Sequence, residues 1–174
     1  MVTVYLSLGS NIDRCHYITR ALDRLADDFG PLQISSVFES EAVGFEGDPF
    51  YNLAVGLSTD LPVDALYRRL REIEHDNDRC RQAVKFSSRT LDIDILSYGD
   101  YIGAFEGGHL PRAEITYNAF VLWPLAEIAP AEHHPELGRS YADLWADFER
   151  GKQKLRPVSF AWRGRELSRL EDSR

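Results

Sequence analysis

Arg79, Arg81, Lys85 and Arg89 place four cations within eleven residues, with no acid among them. The run Arg89-Thr90-Leu91-Asp92-Ile93-Asp94-Ile95-Leu96 follows directly. Successive side chains of a strand point to opposite faces, so Leu91, Ile93 and Ile95 enter a core while Asp92 and Asp94 project together from the other side. Residues so placed lie roughly 6.5–7 Å apart along the strand, and two carboxylates at that spacing repel unless a cation sits between or beside them. Mg²⁺ suits such a pair, because it takes one or two carboxylates and completes its shell with water and substrate phosphates. Acids holding metal, metal bridging phosphate oxygens and arginines around the remaining charge would form a polyphosphate clamp. The ordinary alternative is a solvated acidic strand face beside a solvated basic loop.

The basic cluster is a local inversion. Acids outnumber bases 28 to 20 over the 174 residues, a net charge of −8. That balance speaks against a general nucleic-acid or polyanion binder and confines any anion site to a local patch. Other candidate chemistry is weaker. Gly9-Ser10-Asn11 reads as a tight turn, with no partnered base for a nucleophilic serine. His133-His134 lies between Pro130 and Pro135 in a loop and is expected to be exposed; His75 and His109 have no partner at ligand spacing. Cys15 and Cys80 form no CxxC or CxxH pair and read as free thiols of a reducing compartment. With no signal-like segment after Met1 and no apolar run near ~18 residues, the expected location is the cytoplasm, away from membranes.

The elements that must position these residues follow from periodicity. Val2, Val4 and Leu6 alternate with polar neighbours as a strand; Ile18, Leu22, Leu25 and Phe29 recur at helical spacing, stopped by Gly30-Pro31. Residues 33–38 suggest a second strand, 39–49 an acidic loop, and Tyr51, Leu53, Val55 and Leu57 a third strand. Asp60 and Pro62 open a helix with Val63, Leu66, Leu70 and Ile73 on one face. Residues 75–88 have little periodicity, and Leu91, Ile93 and Ile95 form the fourth strand. A short strand over 101–105, a helix over 113–128 broken or restarted at Pro124, and a last helix marked by Tyr141, Leu144, Trp145 and Phe148 complete the chain, with 163–174 a charged, frayed tail. The order β-α-β-β-α-β is ferredoxin-like. It implies an α+β fold with an antiparallel sheet, and the later helices cover its second face to give three layers, α-β-α.

Taken in order, these segments resemble the 6-hydroxymethyl-7,8-dihydropterin pyrophosphokinases of folate synthesis. The matching stretches are Tyr5-Leu6-Ser7-Leu8-Gly9-Ser10-Asn11, Phe50-Tyr51-Asn52-Leu53-Ala54-Val55, Ile73-Glu74, Arg79-x-Arg81, the Arg89–Leu96 run, and Phe120-Val121-Leu122-Trp123-Pro124-Leu125-Ala126-Glu127-Ile128-Ala129-Pro130. The resemblance covers residues 2–148, so 1–148 is expected to be the pyrophosphokinase-like domain and 149–174 an extension of unassigned role. It implies transfer of the β,γ-pyrophosphate of Mg²⁺-ATP to the hydroxymethyl oxygen of a dihydropterin, releasing AMP. It further implies Asp92 and Asp94 as ligands of two Mg²⁺ ions, and Arg81 and Arg89 as phosphate-binding and catalytic, with Arg79 alongside. Glu74 falls at the edge of the ATP site, Asn52 reads the pterin edge, Phe50 and Phe120 sandwich the ring, and Val43 belongs to the pterin loop. The implied partners are small molecules alone, and the implied state is a monomer.

The chain departs from the family at several of these places. Phe86-Ser87-Ser88 stands for Trp-Gly-Pro in a segment, 75–88, expected to be poorly ordered without ligand and to close over substrates; Gln82 replaces a basic residue. Leu110-Pro111-Arg112-Ala113 replaces Leu-Pro-His-Pro, and Asn118 stands where the family carries a phosphate-binding arginine. A cation is gained at Arg112 and lost at Asn118, so Arg112 is expected to join the ATP site. Ser40-Glu41-Ala42-Val43-Gly44 replaces a Pro-rich pterin loop. Besides the usual activity, the resemblance leaves open a pyrophosphokinase for another pterin side chain and a binding module without turnover.

Overall fold

The structure is a computed structural model that describes residues 1–40, 49–77, 91–149, 151 and 153–170. Val43, Arg79, Cys80, Arg81, Gln82, Lys85, the Phe86-Ser87-Ser88 stretch and Arg89 lie outside the described residues, as does the segment expected to close over substrates from residue 78 onward.

Strand β1 (Val2–Ser10) lies inside the sheet. It pairs antiparallel with β4 (Phe50–Thr59) on one side and β5 (Asp92–Tyr98) on the other. Strands β2 (Gln33–Ile34) and β3 (Val37–Ser40) both pair with β4, and β8 (Leu155–Val158) pairs with β3, giving the order β5-β1-β4-β3-β8. The register sets Leu6 opposite both Val55 and Ile95, and Leu8 opposite both Leu53 and Ile93. All six therefore share one face, where they meet Ile18, Leu22 and Leu25 of α1 (Arg14–Phe29) and Leu66, Leu70 and Ile73 of α2 (Val63–Asp76). Each such side chain, fully withdrawn from water, contributes about 1.5–3 kcal/mol.

On the opposite face, Tyr5 and Leu96 pack against Val121, Leu122 and Leu125 of α3 (Ala119–Ile128) and Tyr141 of α4 (Tyr141–Ala146). Leu96 alternates with the core residues Ile93 and Ile95 and so joins this face, beside a register shift between Tyr5 and Leu6. The result is the α+β, three-layer α-β-α arrangement that the element order implies. No helix among the described residues is long and apolar enough to cross a membrane.

Several local expectations change. The second strand is interrupted at Ser35-Ser36, both fully buried. Ser35 Oγ accepts the Ala54 amide at 2.8 Å, and the Ser36 amide and hydroxyl donate to the Glu127 carboxylate at 2.5 and 2.8 Å. The Ser35 amide still donates to Ala54 O at 3.0 Å, side chains take over the other ladder bonds there, and α3 is tied to the sheet. The helix expected over 113–128 is a 3₁₀ turn, Ala113–Thr116, followed by α3; Glu114 O accepts from both Tyr117 N and Asn118 N, and Asn118 turns extended before α3 begins. Pro124 lies inside α3 and does not restart it. The short strand of 101–105 is one arm of a hairpin, β6 (Gly103–Phe105) with β7 (Gly108–Leu110).

Residues 163–170 are not frayed. Strands β9 (Ala161–Trp162) and β10 (Arg165–Glu166) form a hairpin, Trp162 Nε1 donates to Asp23 of α1 at 3.0 Å, and Ser168 Oγ accepts the Val37 amide at 2.9 Å. Phe160 belongs to the core beneath α1 and α2, its ring edge-on to Tyr51 at 6.3 Å. Truncating a buried Phe to Ala removes transfer energy and leaves a cavity. Phe160→Ala is therefore expected to lower the unfolding free energy by about 3–5 kcal/mol, read by urea denaturation. A loss below about 1 kcal/mol would place Phe160 at the surface instead.

Candidate active site

The face of the sheet beneath α3 carries a cleft of about 360 Å³ lined by Ser7, Gly9, Ser40, Phe50, Asn52, Asp92, Asp94, Arg112, Glu114, Phe120 and Val121. Strand pairing explains the grouping. Asn52, Gly9 and Asp92 form one cross-strand row, and Ala54, Ser7 and Asp94 form another. With Leu91, Ile93 and Ile95 committed to the core, strict alternation sends both aspartates to the cleft, where they are half-buried. Gly9 keeps the floor open: a Cβ there would stand 3.0 Å from Asn52 Oδ1 and 4.0 Å from the Phe50 ring.

Asn52 is buried, and its Nδ2 donates to Ser40 Oγ at 2.9 Å, which fixes the plane of the carboxamide. Phe50 enters from β4 and Phe120 from the first turn of α3. The predicted ring-binding trio of Phe50, Asn52 and Phe120 thus lines the same cleft as the predicted metal pair of Asp92 and Asp94.

Arg112 reaches the charged end of the cleft, as its gain beside the aspartates suggests. Its Nη2 lies 3.9 Å from Asp94 Oδ2, and its Nε donates to Glu114 Oε1 at 2.5 Å. Burial alone would lower the guanidinium pKa, but Asp94 and Glu114 raise it by more, so the group stays charged. Asn118 donates to the other Glu114 oxygen at 3.0 Å. Glu114 therefore orients both residues at which the charge differs from the family. Sequence reading placed Ser40 in the pterin loop but missed Ser7, Gly9, Glu114 and Val121 as lining residues. Ser7 and Gly9 carry a usable signal, since they alternate with the apolar Leu6 and Leu8 on the strand opposite the aspartates.

Glu74 does not line the cleft. It is buried at the end of α2, where Oε2 accepts the Ile93 amide at 2.6 Å and Oε1 lies 3.0 Å from Arg71 Nη1. It anchors α2 to β5, the edge strand carrying both aspartates. Burial lifts its carboxyl to about 7; the Ile93 amide and Arg71 oppose the rise, and Asp92 and Asp94 add to it. His134 is likewise buried and not exposed as expected, its Nδ1 accepting the amides of Glu136 and Leu137 at 3.2 Å, while His133 is exposed. Cys15 is an exposed free thiol.

The raised Glu74 pKa fixes the sign of a pH effect. The fold favours the protonated carboxyl, so the native state holds more protons than the unfolded chain between about 4.5 and 7, and stability falls as pH rises through that window. Glu74→Gln lacks the titration and keeps an acceptor for Ile93. Urea unfolding at pH 5 and pH 8 is expected to show the wild type losing ground to Glu74→Gln at the higher pH; parallel pH profiles would exclude the raised value.

The family model for 7,8-dihydro-6-hydroxymethylpterin-pyrophosphokinase (HPPK) matches residues 5–130. The 2-amino-4-hydroxy-6-hydroxymethyldihydropteridine pyrophosphokinase of Aquifex aeolicus is 36% identical over 137 residues, covering 78% of this chain and 85% of the relative. The protein of the same name from Bacillus subtilis is 35% identical over 128 residues, 71% and 76% of the two chains. The crystal structure of wild-type Plasmodium falciparum HPPK-DHPS is similar in fold, with a TM-score of 0.59 at 14% identity over 83% of this chain and 44% of that one. A family match through both the cross-strand rows and the first turns of α3, with relatives this similar along most of their length, establishes that the chain belongs to the HPPK family.

Proposed function

We propose that this cleft transfers the β,γ-pyrophosphoryl group of ATP to the hydroxymethyl oxygen of 6-hydroxymethyl-7,8-dihydropterin, releasing AMP. One observation carries the reading: a single cleft joins an aromatic, amide-bearing end at Phe50, Asn52 and Phe120 to a charged end at Asp92, Asp94 and Arg112. Its volume is in the range of small-molecule sites. Family membership supplies the reaction class.

Two half-exposed carboxylates on one strand face offer hard oxygen donors of the kind Mg²⁺ takes. Among the described residues no group of three or more His, Cys, Asp or Glu stands ready to enclose a metal. That donor set fits ions that leave most positions to water and to the nucleotide. We assign Asp92 and Asp94 to hold two Mg²⁺, which when bound would neutralise the triphosphate and make the β-phosphorus more electrophilic.

The protein's own groups do the remaining work. Phe50 and Phe120 flank the heterocycle, a contact worth roughly 0.5–1.5 kcal/mol beyond its burial. Asn52 matches the hydrogen-bonding edge of the ring with one donor and one acceptor, its other proton being held by Ser40. So bound, the hydroxymethyl arm is directed toward the aspartate end. Its oxygen bonds to the β-phosphorus as the bond to the bridging oxygen on the α-phosphate breaks; AMP carries that oxygen away and the hydroxyl proton is lost. Arg112 supplies fixed positive charge to the phosphates, joined by Arg79, Arg81 and Arg89 on the sequence match. We take the monomer as the working unit, as the resemblance to the family implies.

The direct test incubates the protein with Mg²⁺-ATP and the dihydropterin and measures AMP. AMP formation in step with pterin pyrophosphate is expected; ATP binding without AMP on any dihydropterin would leave only a binding module. Asp92→Ala and Asp94→Ala are each expected to cut AMP release at least about 100-fold, on the scale of removing a transition-state charge stabiliser, with unchanged circular dichroism. Near-normal turnover in either would remove that residue from metal binding. Arg112→Ala is expected to weaken ATP binding by about 1.5–3 kcal/mol, the range of a charge-assisted hydrogen bond. An unchanged calorimetric dissociation constant would show that Arg112 serves only Glu114 and Asp94.

A further inference from the structure

The start of α3 is held by a residue outside the matched span. Asn118, at the N-cap, makes no side-chain bond to its own helix, because its amide is turned to Glu114. The first helical amide, on Ala119, is one of the groups that a helix cannot satisfy internally. It donates to Gln153 Oε1 at 2.6 Å, and Gln153 Nε2 donates to Tyr117 O at 2.8 Å. An amide facing one donor and one acceptor has only one orientation that satisfies both. Gln153 thus straddles the break where the 3₁₀ turn hands over to α3, immediately before Phe120. Two and three residues further on, Leu155 and Arg156 pair with Ser40 and Glu39 of β3, and Ser40 carries the hydroxyl that orients Asn52. Three residues of one short stretch, Gln153, Leu155 and Arg156, therefore reach both walls of the aromatic end of the cleft.

We propose that Gln153 is a positioning residue for pterin binding, acting through Ala119 and Tyr117 to fix the first turn of α3 and with it the Phe120 ring. The proposal rests on the pyrophosphokinase reading and gives the segment after 148 a role in it. Without Gln153 the first turn loses a cap, and Phe120 samples positions that do not stack on the ligand. Asp92 and Asp94 are carried by β5, and Arg112 is held by Asp94 and Glu114 at the far end of the 3₁₀ turn from Gln153.

The test titrates the dihydropterin, with a non-hydrolysable Mg²⁺-ATP analogue present, into wild type, Gln153→Ala and Gln153→Glu, and separately titrates the analogue alone. Gln153→Ala is expected to raise the pterin dissociation constant about five- to tenfold, the scale of a lost helix cap, and to leave the analogue's constant within about twofold. Gln153→Glu keeps an acceptor for Ala119, favoured beside a helix N-terminus, but sets its second carboxylate oxygen against Tyr117 O in place of a donor, so it is expected to bind the pterin less tightly than wild type. An unaltered pterin constant in Gln153→Ala, equal weakening of both ligands, or a Gln153→Glu protein that binds the pterin as wild type does would each overturn the positioning role. A wild-type protein that binds the analogue and no dihydropterin would instead overturn the pyrophosphokinase reading itself.

Discussion

The antiparallel pairing of β1 with β4 and β5 is the constraint on which everything else depends. Because side chains alternate along a strand, one register decides two environments at once. Leu6 and Leu8, with Val55, Leu53, Ile95 and Ile93 opposite them, fill the core under α1 and α2. The same register brings Asn52, Gly9 and Asp92 into line on the reverse face, with Ser7 and Asp94 in the next row. A slip of one residue on β5 would turn two carboxylates into the core and Ile93 and Ile95 out of it. The stability of the core thus enforces the geometry of the cleft.

The charged end of the cleft is built to be balanced in parts. Asp94 and Glu114 surround Arg112, and Glu114 also takes Asn118. Among the described residues, this acidic protein presents Arg112 to the aspartate face and holds it with a neighbouring acid rather than leaving it free to swing. On the far side of β5, Glu74 closes the sheet edge by taking the Ile93 amide, so the strand bearing the aspartates is fixed from both flanks.

What could be read from the chain divides along physical lines. The sheet, the two core helices and the outward aspartates were legible because they rest on local periodicity. Asn52, Phe50 and Phe120 carried no such signal and came only through resemblance, since a buried Asn or Phe looks like any core residue in one sequence. The break at Ser35-Ser36 was hidden because its partner, Glu127, lies 91 positions away. Gln153 was invisible for the same reason: its partner amide is 34 residues upstream. His134 was expected to be exposed and Glu74 to edge the ATP site, and both are buried, because burial of a polar side chain depends on what folds over it. Long-range side-chain to main-chain bonds are the common element, and they leave no period.

Strand β8 gives this architecture a timing problem. Arg156 meets Glu39 across 117 positions, and Ser168 meets Val37 across 131. A ribosome adding about 5–20 residues per second leaves β3 without its outer neighbour for several seconds after the rest of the sheet has emerged. During that interval β3 is an open edge with unpaired main-chain groups, the kind of surface on which other chains aggregate. Prematurely terminated copies would keep that edge permanently, so such fragments become a solubility hazard as well as an enzymatic loss.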